Sequence, residues 1–240
     1  TKYIHWLAVV SLSLCAAHTA LAATQHMGDG SDKPITATGS RNWDTSSTFW
    51  RPVNDGSASY TIWTNGNDAA FYGGSMTITA TEDISVGNIH WSGASGGLTL
   101  SSSGGKITID GAVTTDNPQW FKFDGSVAGT VSISDVLYFQ FTGGVAFDSG
   151  TVITVDDPGS LARMDLWHNI SAPDLSNLTL NINGQGDALN LQQDGVTFGS
   201  LNGNAQLLDN HDASSSVTIN SLNPGIGASS AGIGNFTADV

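Results

Sequence analysis

Cysteine is all but absent from this sequence: Cys15 stands alone near the N-terminus, with no second thiol to pair with. That excludes an intrachain disulfide framework and a cage of thiolate metal ligands, and it leaves no cysteine nucleophile beyond residue 22. Glutamate is nearly as scarce. Glu82 is the single one, so almost all of the 21 acidic residues are Asp. Glu suits helix interiors, whereas Asp bonds to nearby backbone and prefers turns, so little helix is expected. Positive charge is the third shortage, with 7 Lys and Arg leaving a formal net charge of −14. Affinity for DNA or RNA comes mainly from Lys and Arg neutralising phosphates, which makes nucleic acid an improbable partner. No apolar run reaches the ~20 residues that a membrane-spanning helix needs.

What is present begins with an export pattern. Lys2 gives a positive start, Ile4 to Ala17 an apolar stretch interrupted by His5 and serines, and Ala20 and Ala22 small residues at both cleavage positions. Residues 1–22 therefore read as a secretory signal peptide. Leu14, directly before Cys15, occupies the place where a lipoprotein signal has a small residue, so lipidation is not expected. Residues 23–40 are polar and turn-rich, as in Gly28-Asp29-Gly30-Ser31-Asp32, and predict a flexible leader.

From residue 41 to 240 short alternating runs recur: Tyr60 to Trp63, Met76 to Ala80, Ile84 to Trp91, Leu98 to Ser101, Lys106 to Ile109, Val131 to Ile133, Val136 to Phe141, Val152 to Val155, Leu178 to Ile182, Ala188 to Leu191 and Val217 to Ile219. Gly, Asn, Asp and Ser bound most of them, the mark of strands ended by turns. The 29 glycines punctuate these runs and do not collect in one linker. Leu98-Thr99-Leu100, Ile107-Thr108-Ile109 and Leu178-Thr179-Leu180 alternate aliphatic and small polar residues, as stacked solenoid rungs require. The expected fold is all-β, a right-handed parallel β-helix or related solenoid. A β-sandwich is the rival, because periodicity alone does not separate them. The aromatic block from Trp43 to Phe71 predicts a terminal cap within residues 41–75, since an uncapped solenoid exposes strand edges and open core.

Asn42-Trp43, Trp63, the box Asn65-Gly66-Asn67-Asp68-Ala69-Ala70-Phe71, Gly73-Gly74 and Gly97-Leu98-Thr99-Leu100 follow one another in a spaced series. This series resembles the N-terminal region of secreted bacterial proteins carrying autotransporter-associated β-strand repeats. Phe198-Gly199-Ser200-Leu201-Asn202-Gly203 and Leu222-Asn223-Pro224-Gly225 resemble corner segments found late in such repeats. The resemblance implies an exported structural or adhesive passenger at the cell surface of a Gram-negative-type bacterium, contacting surface polysaccharide or matrix. Members commonly continue into an outer-membrane barrel or a sorting anchor. Thr1 in place of an initiator Met, and Val240 within an apparent rung start, suggest a fragment.

Chemistry-bearing residues are few. Asp156-Asp157 follow a strand-like run, with Asp148, Asp165 and His168 close in sequence. Acidic clusters of this kind serve β-helical polysaccharide hydrolases and lyases, but adjacent strand residues face opposite ways, and a turn before Pro158-Gly159 explains the pair. The cations beyond residue 22 are Lys33, Arg41, Arg51, Lys106, Lys122 and Arg163, too scattered to clamp a sugar acid, so an enzyme is the second reading. Gly184-Gln185-Gly186-Asp187-Ala188-Leu189 falls one residue short of the calcium-binding nonapeptide pattern, and Asp29 to Asp32 is thinner still; calcium is the one metal raised, and turns account for both. His90, His168 and His211 lie too far apart for a metal-ligand spacing, and His26 falls in the leader. Trp91, Trp120 with Phe121 and Phe123, and Trp167 form either a sugar-stacking platform or part of the core, with core packing the favoured account and a carbohydrate-binding module the remaining alternative. No catalytic, cofactor-binding or metal-ligating residue is assigned.

Overall fold

The computed structural model describes residues 22–27 and 39–155, apart from 56, 93–95, 117–119, 135, 137 and 143, and beyond 155 the strand residues alone. In chain order the strands open with β1 (Thr24–Met27), β2 (Gly39–Trp43), β3 (Trp50–Arg51), β4 (Asp68–Tyr72), β5 (Met76–Ala80), β6 (Ile84–Val86) and β7 (Ile89–Ser92). They continue with β8 (Gly97–Ser102), β9 (Ile107–Ile109), β10 (Ala112–Thr115), β11 (Trp120–Asp124), β12 (Ser126–Ile133), β13 (Tyr138–Phe141), β14 (Ala146–Phe147) and β15 (Thr151–Val155). The last are β16 (Arg163–Leu166), β17 (Asp174–Ile182), β18 (Ala188–Leu191), β19 (Val196–Gly203), β20 (Gln206–Asp209), β21 (Ser216–Ile219), β22 (Gly227–Ala228) and β23 (Asn235–Ala238).

These strands stack as a parallel β-solenoid. One nine-stranded ladder runs β2-β5-β8-β11-β13-β16-β18-β20-β22, and a second face runs β1-β4-β7-β10-β12-β15-β17-β19-β21-β23. A short third ladder joins β6, β9, the first half of β12 and β14. Every pairing between described strands is parallel except β1 with β3, which together with the Trp50–Thr61 bridge is antiparallel. Facing antiparallel sheets of a sandwich are not what the chain forms. Among the described residues there is no helix, as the dominance of Asp over Glu implied.

Inward positions lie above one another from rung to rung. Met76 pairs with Leu98, Leu98 with Phe121, and Phe121 with Phe139, and the same register continues along the backbone to residues 164 and 189. On the second face Ile89, Val113, Ile133, Val155 and Ile182 form a similar column. Each fully buried side chain of this kind contributes about 1.5–3 kcal/mol. Sequence steps between register partners on the nine-stranded ladder run from 18 (Phe121 to Phe139) to 25 (Phe139 to Met164, and Met164 to Leu189), because corner lengths differ. That spread is why no strict repeat is visible in the sequence.

Corners explain the surplus of Asp. Asp68 accepts a hydrogen bond from the Asn88 backbone N–H at 2.7 Å, Asn88 from Ala112 at 2.9 Å, Asp124 from Gly144 at 2.9 Å, Asp83 from Lys106 at 3.2 Å and Asp110 from Thr130 at 3.3 Å. Each ties one rung to the next at a point where the ladder has been interrupted. A short side chain with a fixed carboxylate does this better than the longer Glu. At one corner, Gly129, β12 bends from the third ladder into the second. Its φ of 101° lies in the left-handed region, and a Cβ there would sit 2.2 Å from the Ile109 carbonyl oxygen.

Several sequence expectations shift. Ile84 to Trp91 splits at Gly87-Asn88 into β6 and β7, which lie on different faces. Tyr60 to Trp63 gives only the bridge at Thr61; the segment is part of an excursion that carries Trp63 into the core. Within the stretch read as a leader, Thr24–Met27 is a strand lying parallel to β4. Gln25 holds it there: its amide donates to the Ile62 carbonyl at 2.9 Å, and its oxygen accepts from Thr64 N–H at 2.8 Å and Asn67 Nδ2 at 2.9 Å. Polarity of the segment concealed a buried amide with its partners supplied from 36 or more residues away. Residues 1–21 fall outside the described residues.

At the first rung Trp43, Trp50, Trp63 and Phe71 pack into one cluster, with ring centroids 4.5 to 5.7 Å apart, and β3 covers the edge of β1. The box from Asn65 to Phe71 serves this end. Asn65 accepts from Trp63 Nε1 at 3.0 Å and from Ser85 N–H at 2.9 Å, Asp68 links to the next rung, and Phe71 fills the core.

Phe139→Ala is expected to destabilise the protein by about 3–5 kcal/mol in urea unfolding, against under about 0.5 kcal/mol for the exposed Ser132→Ala. Equal effects would contradict the inward stack. Gln25→Ala is expected to cost about 1–3 kcal/mol by stranding buried partners, and unchanged stability would detach β1 from the solenoid.

Candidate functional site

Two of the outward rows of the nine-stranded ladder border a groove. Strand alternation places Ser40, Thr77, Thr99 and Lys122 in register along one of them, which ends at the buried Gln140. On the other, Gly97 lies beside Trp120, and Trp120 beside Tyr138. Small residues therefore occupy the lower rungs, and bulk begins abruptly at β11. The step leaves an open groove of about 510 Å³, floored by Ser40, Thr77 and Thr99 and bounded by Trp120 and Lys122.

Trp120 is held in place. It stacks on Tyr138 with ring centroids 4.2 Å apart and 18° between planes, and the Lys122 ammonium sits 5.3 Å from its ring centroid. Gly97 keeps the approach to it open: a Cβ there would lie 2.8 Å from the Trp120 Cβ. Hydroxyls, one ammonium and a partly exposed indole define the chemistry. The groove's lining has no carboxylate.

The aromatic residues singled out in the sequence divide accordingly. Trp91 is 1% exposed, Phe121 1% and Phe123 0%, so these three belong to the core as favoured, whereas Trp120 faces out. Alternation in Trp120-Phe121-Lys122-Phe123 already separates the two sets, but Tyr138 and Thr99 join Trp120 only through rung stacking. Trp167 lies outside the described residues. So do Asp156, Asp157, His168, His211, Asp29 to Asp32 and Gly184 to Asp187, including both calcium-like segments.

The remaining acidic candidates lie on or beside different ladders. Asp148, which follows the third ladder, forms an ion pair with Lys106 at 2.6 Å, both partly exposed. Asp165 is on the nine-stranded ladder, in register with Gln140 and Asn190. Among the described residues no group of three or more His, Cys, Asp or Glu is placed to hold a metal ion. Arg51 is buried at the capped end, its guanidinium 3.8 Å from the Tyr60 ring centroid.

A second polar cluster lies on the other face. His26 and His90 both align with Ala70, one on each side, and His90 aligns with Thr114. His26 Nδ1 and the Tyr72 hydroxyl are hydrogen-bonded at 2.9 Å; His90 Nε2 lies 3.3 Å from Asp116. Burial, and then the charge of His90, hold His26 below its ordinary pKa of 6.5. Burial, and then Asp116, push the Tyr72 hydroxyl up. Residues 26, 72, 90 and 116 meet only because successive rungs superpose them.

Over 150 residues, 59% of this chain, the sequence is 33% identical to the Adhesin BmaC autotransporter of Brucella suis biovar 1 (strain 1330). The match spans 4% of that protein's length. No family model matches the chain, and no solved structure does. No helix of the described residues is long and apolar enough to cross a membrane.

The depressed pKa of His26 has a sign. Unfolded His26 takes up a proton near 6.5, while the folded form resists it to lower pH. Stability is then complete above the unfolded pKa and falls as pH drops through it toward the folded one. Melting temperatures between pH 7.5 and 5.5 are expected to fall more steeply for the wild type than for His26→Gln; parallel curves would remove His26 from the pH response.

Proposed function

We propose that this chain is part of an exported adhesive passenger at the surface of a Gram-negative-type bacterium, with residues 1–22 acting as its export signal. The observation that carries this reading is the parallel β-solenoid combined with similarity to an autotransporter adhesin. A solenoid exposes a long, regular outer face while each rung contacts only its neighbours, which suits an elongated contact surface. The acidic balance favours solubility and disfavours sticking to polyanions. No catalysis is assigned to the chain. Its physical role is to present outward rows of Thr, Ser, Asn and isolated aromatic residues on a stiff core.

Beads coated with the folded protein are expected to adhere to surface polysaccharide or to extracellular matrix several-fold above beads coated with the heat-unfolded chain. Equal adhesion of the two preparations, or none by either, would sink the adhesive reading.

A further inference from the structure

We infer that the groove before Trp120 on the nine-stranded ladder is a binding subsite for an uncharged glycan chain, with one pyranose ring packed on the indole and its hydroxyls met by Thr77, Thr99 and Lys122. This deepens the adhesive reading and takes its biological setting from it. The argument begins with Trp120. A large aromatic on the outside of a solenoid has its apolar faces in water unless something covers them, and Tyr138 covers one by stacking at 4.2 Å. Toward the lower rungs the neighbouring position is Gly97, which has no side chain to cover the indole, and the other group near the ring is the Lys122 ammonium, 5.3 Å from its centroid. The ring is thus fixed by Tyr138, and a ligand arriving over Gly97 has the flexible Lys122 side chain to share or displace.

The floor selects the occupant. A pyranose has a face of C–H groups, which suits an indole, and a rim of hydroxyls, which suits Ser, Thr and an ammonium as donors and acceptors. An apolar helix would leave the hydroxyls of Ser40, Thr77 and Thr99 unpaired beneath it. Adding a peptide strand needs a free sheet edge; β5, β8 and β11 are each paired on both sides, and the end strand β2, which brings Ser40, lies three strands away from Trp120. Charge decides the rest. A net −14 disfavours a polyanionic polysaccharide, and one lysine without a carboxylate in the lining provides no counter-charge for a cationic one. The volume of about 510 Å³ falls within the range of small-ligand sites, and its open form admits a chain lying along the face.

The test is calorimetric titration of the intact purified chain with cellohexaose, laminarihexaose and mannohexaose, and with hexagalacturonate as the charged comparison. At least one neutral hexasaccharide is expected to bind saturably. Trp120→Ala and Thr77→Tyr, the second filling the groove from its floor, are each expected to weaken that binding at least about tenfold, while Trp120→Phe keeps most of it. Far-ultraviolet circular dichroism and melting temperature matching the wild type certify the fold of each variant. The proposal is overturned by no saturable binding of any neutral hexasaccharide, by tighter binding of hexagalacturonate, or by wild-type affinity in folded Trp120→Ala and Thr77→Tyr. Bead adhesion separates the two readings. Adhesion unaffected by variants that bind no sugar removes the groove from the adhesive surface, whereas sugar binding at the groove without any adhesion by the wild type removes the adhesive reading alone.

Discussion

The structure depends on parallel pairing in register between successive rungs. Once Met76 lies beside Leu98, and Leu98 beside Phe121, every outward residue between them is also in line with its counterparts above and below. A slip of one residue would turn the whole aliphatic set outward, so the buried columns hold the register firmly. The same constraint that builds the core therefore arranges the surface. Thr77, Thr99 and Lys122 form a row because Met76, Leu98 and Phe121 form a column.

Parallel stacking creates a difficulty at the corners, where the ladder is interrupted and backbone groups lose their regular partners. Short polar side chains meet it. Asp68, Asp83, Asp110 and Asp124, with Asn88, accept N–H groups from the following rung, so much of the acidic composition is structural. Asn side chains extend the principle along the second face: Asn202 donates to Asn181 at 2.9 Å, and Asn181 to Thr154 at 3.1 Å. At the first rung the requirement is different. Open core is filled by Trp43, Trp50, Trp63 and Phe71, and Asn65, in the box that carries the resemblance, accepts the indole N–H of Trp63 and the Ser85 backbone N–H.

Much of this architecture was legible. Runs such as Met76 to Ala80 and Ala188 to Leu191 coincide with strands because alternation and flanking turn residues state a local preference that the solenoid satisfies. Less legible were strands whose identity depends on partners. Thr24–Met27 looks like leader until Gln25 is seen bonded to Ile62, Thr64 and Asn67. Alternation in Trp120-Phe121-Lys122-Phe123 separates the core Phe residues from Trp120, but the groove beside that Trp depends on Gly97 and Tyr138, which only the rung register brings to it.

By itself the sequence determined the class: scarce Glu, abundant Asp and Gly, and short alternating runs leave a turn-rich β-protein as the consistent solution, because those preferences act within a few residues. Tertiary structure alone decided which residues meet. Rungs of unequal length bring His26 to Tyr72, Trp120 to Tyr138 and Gly97 to Trp120. Their separation along the chain is set by corner lengths that carry no strict period, so only the packed register converts scattered residues into a surface.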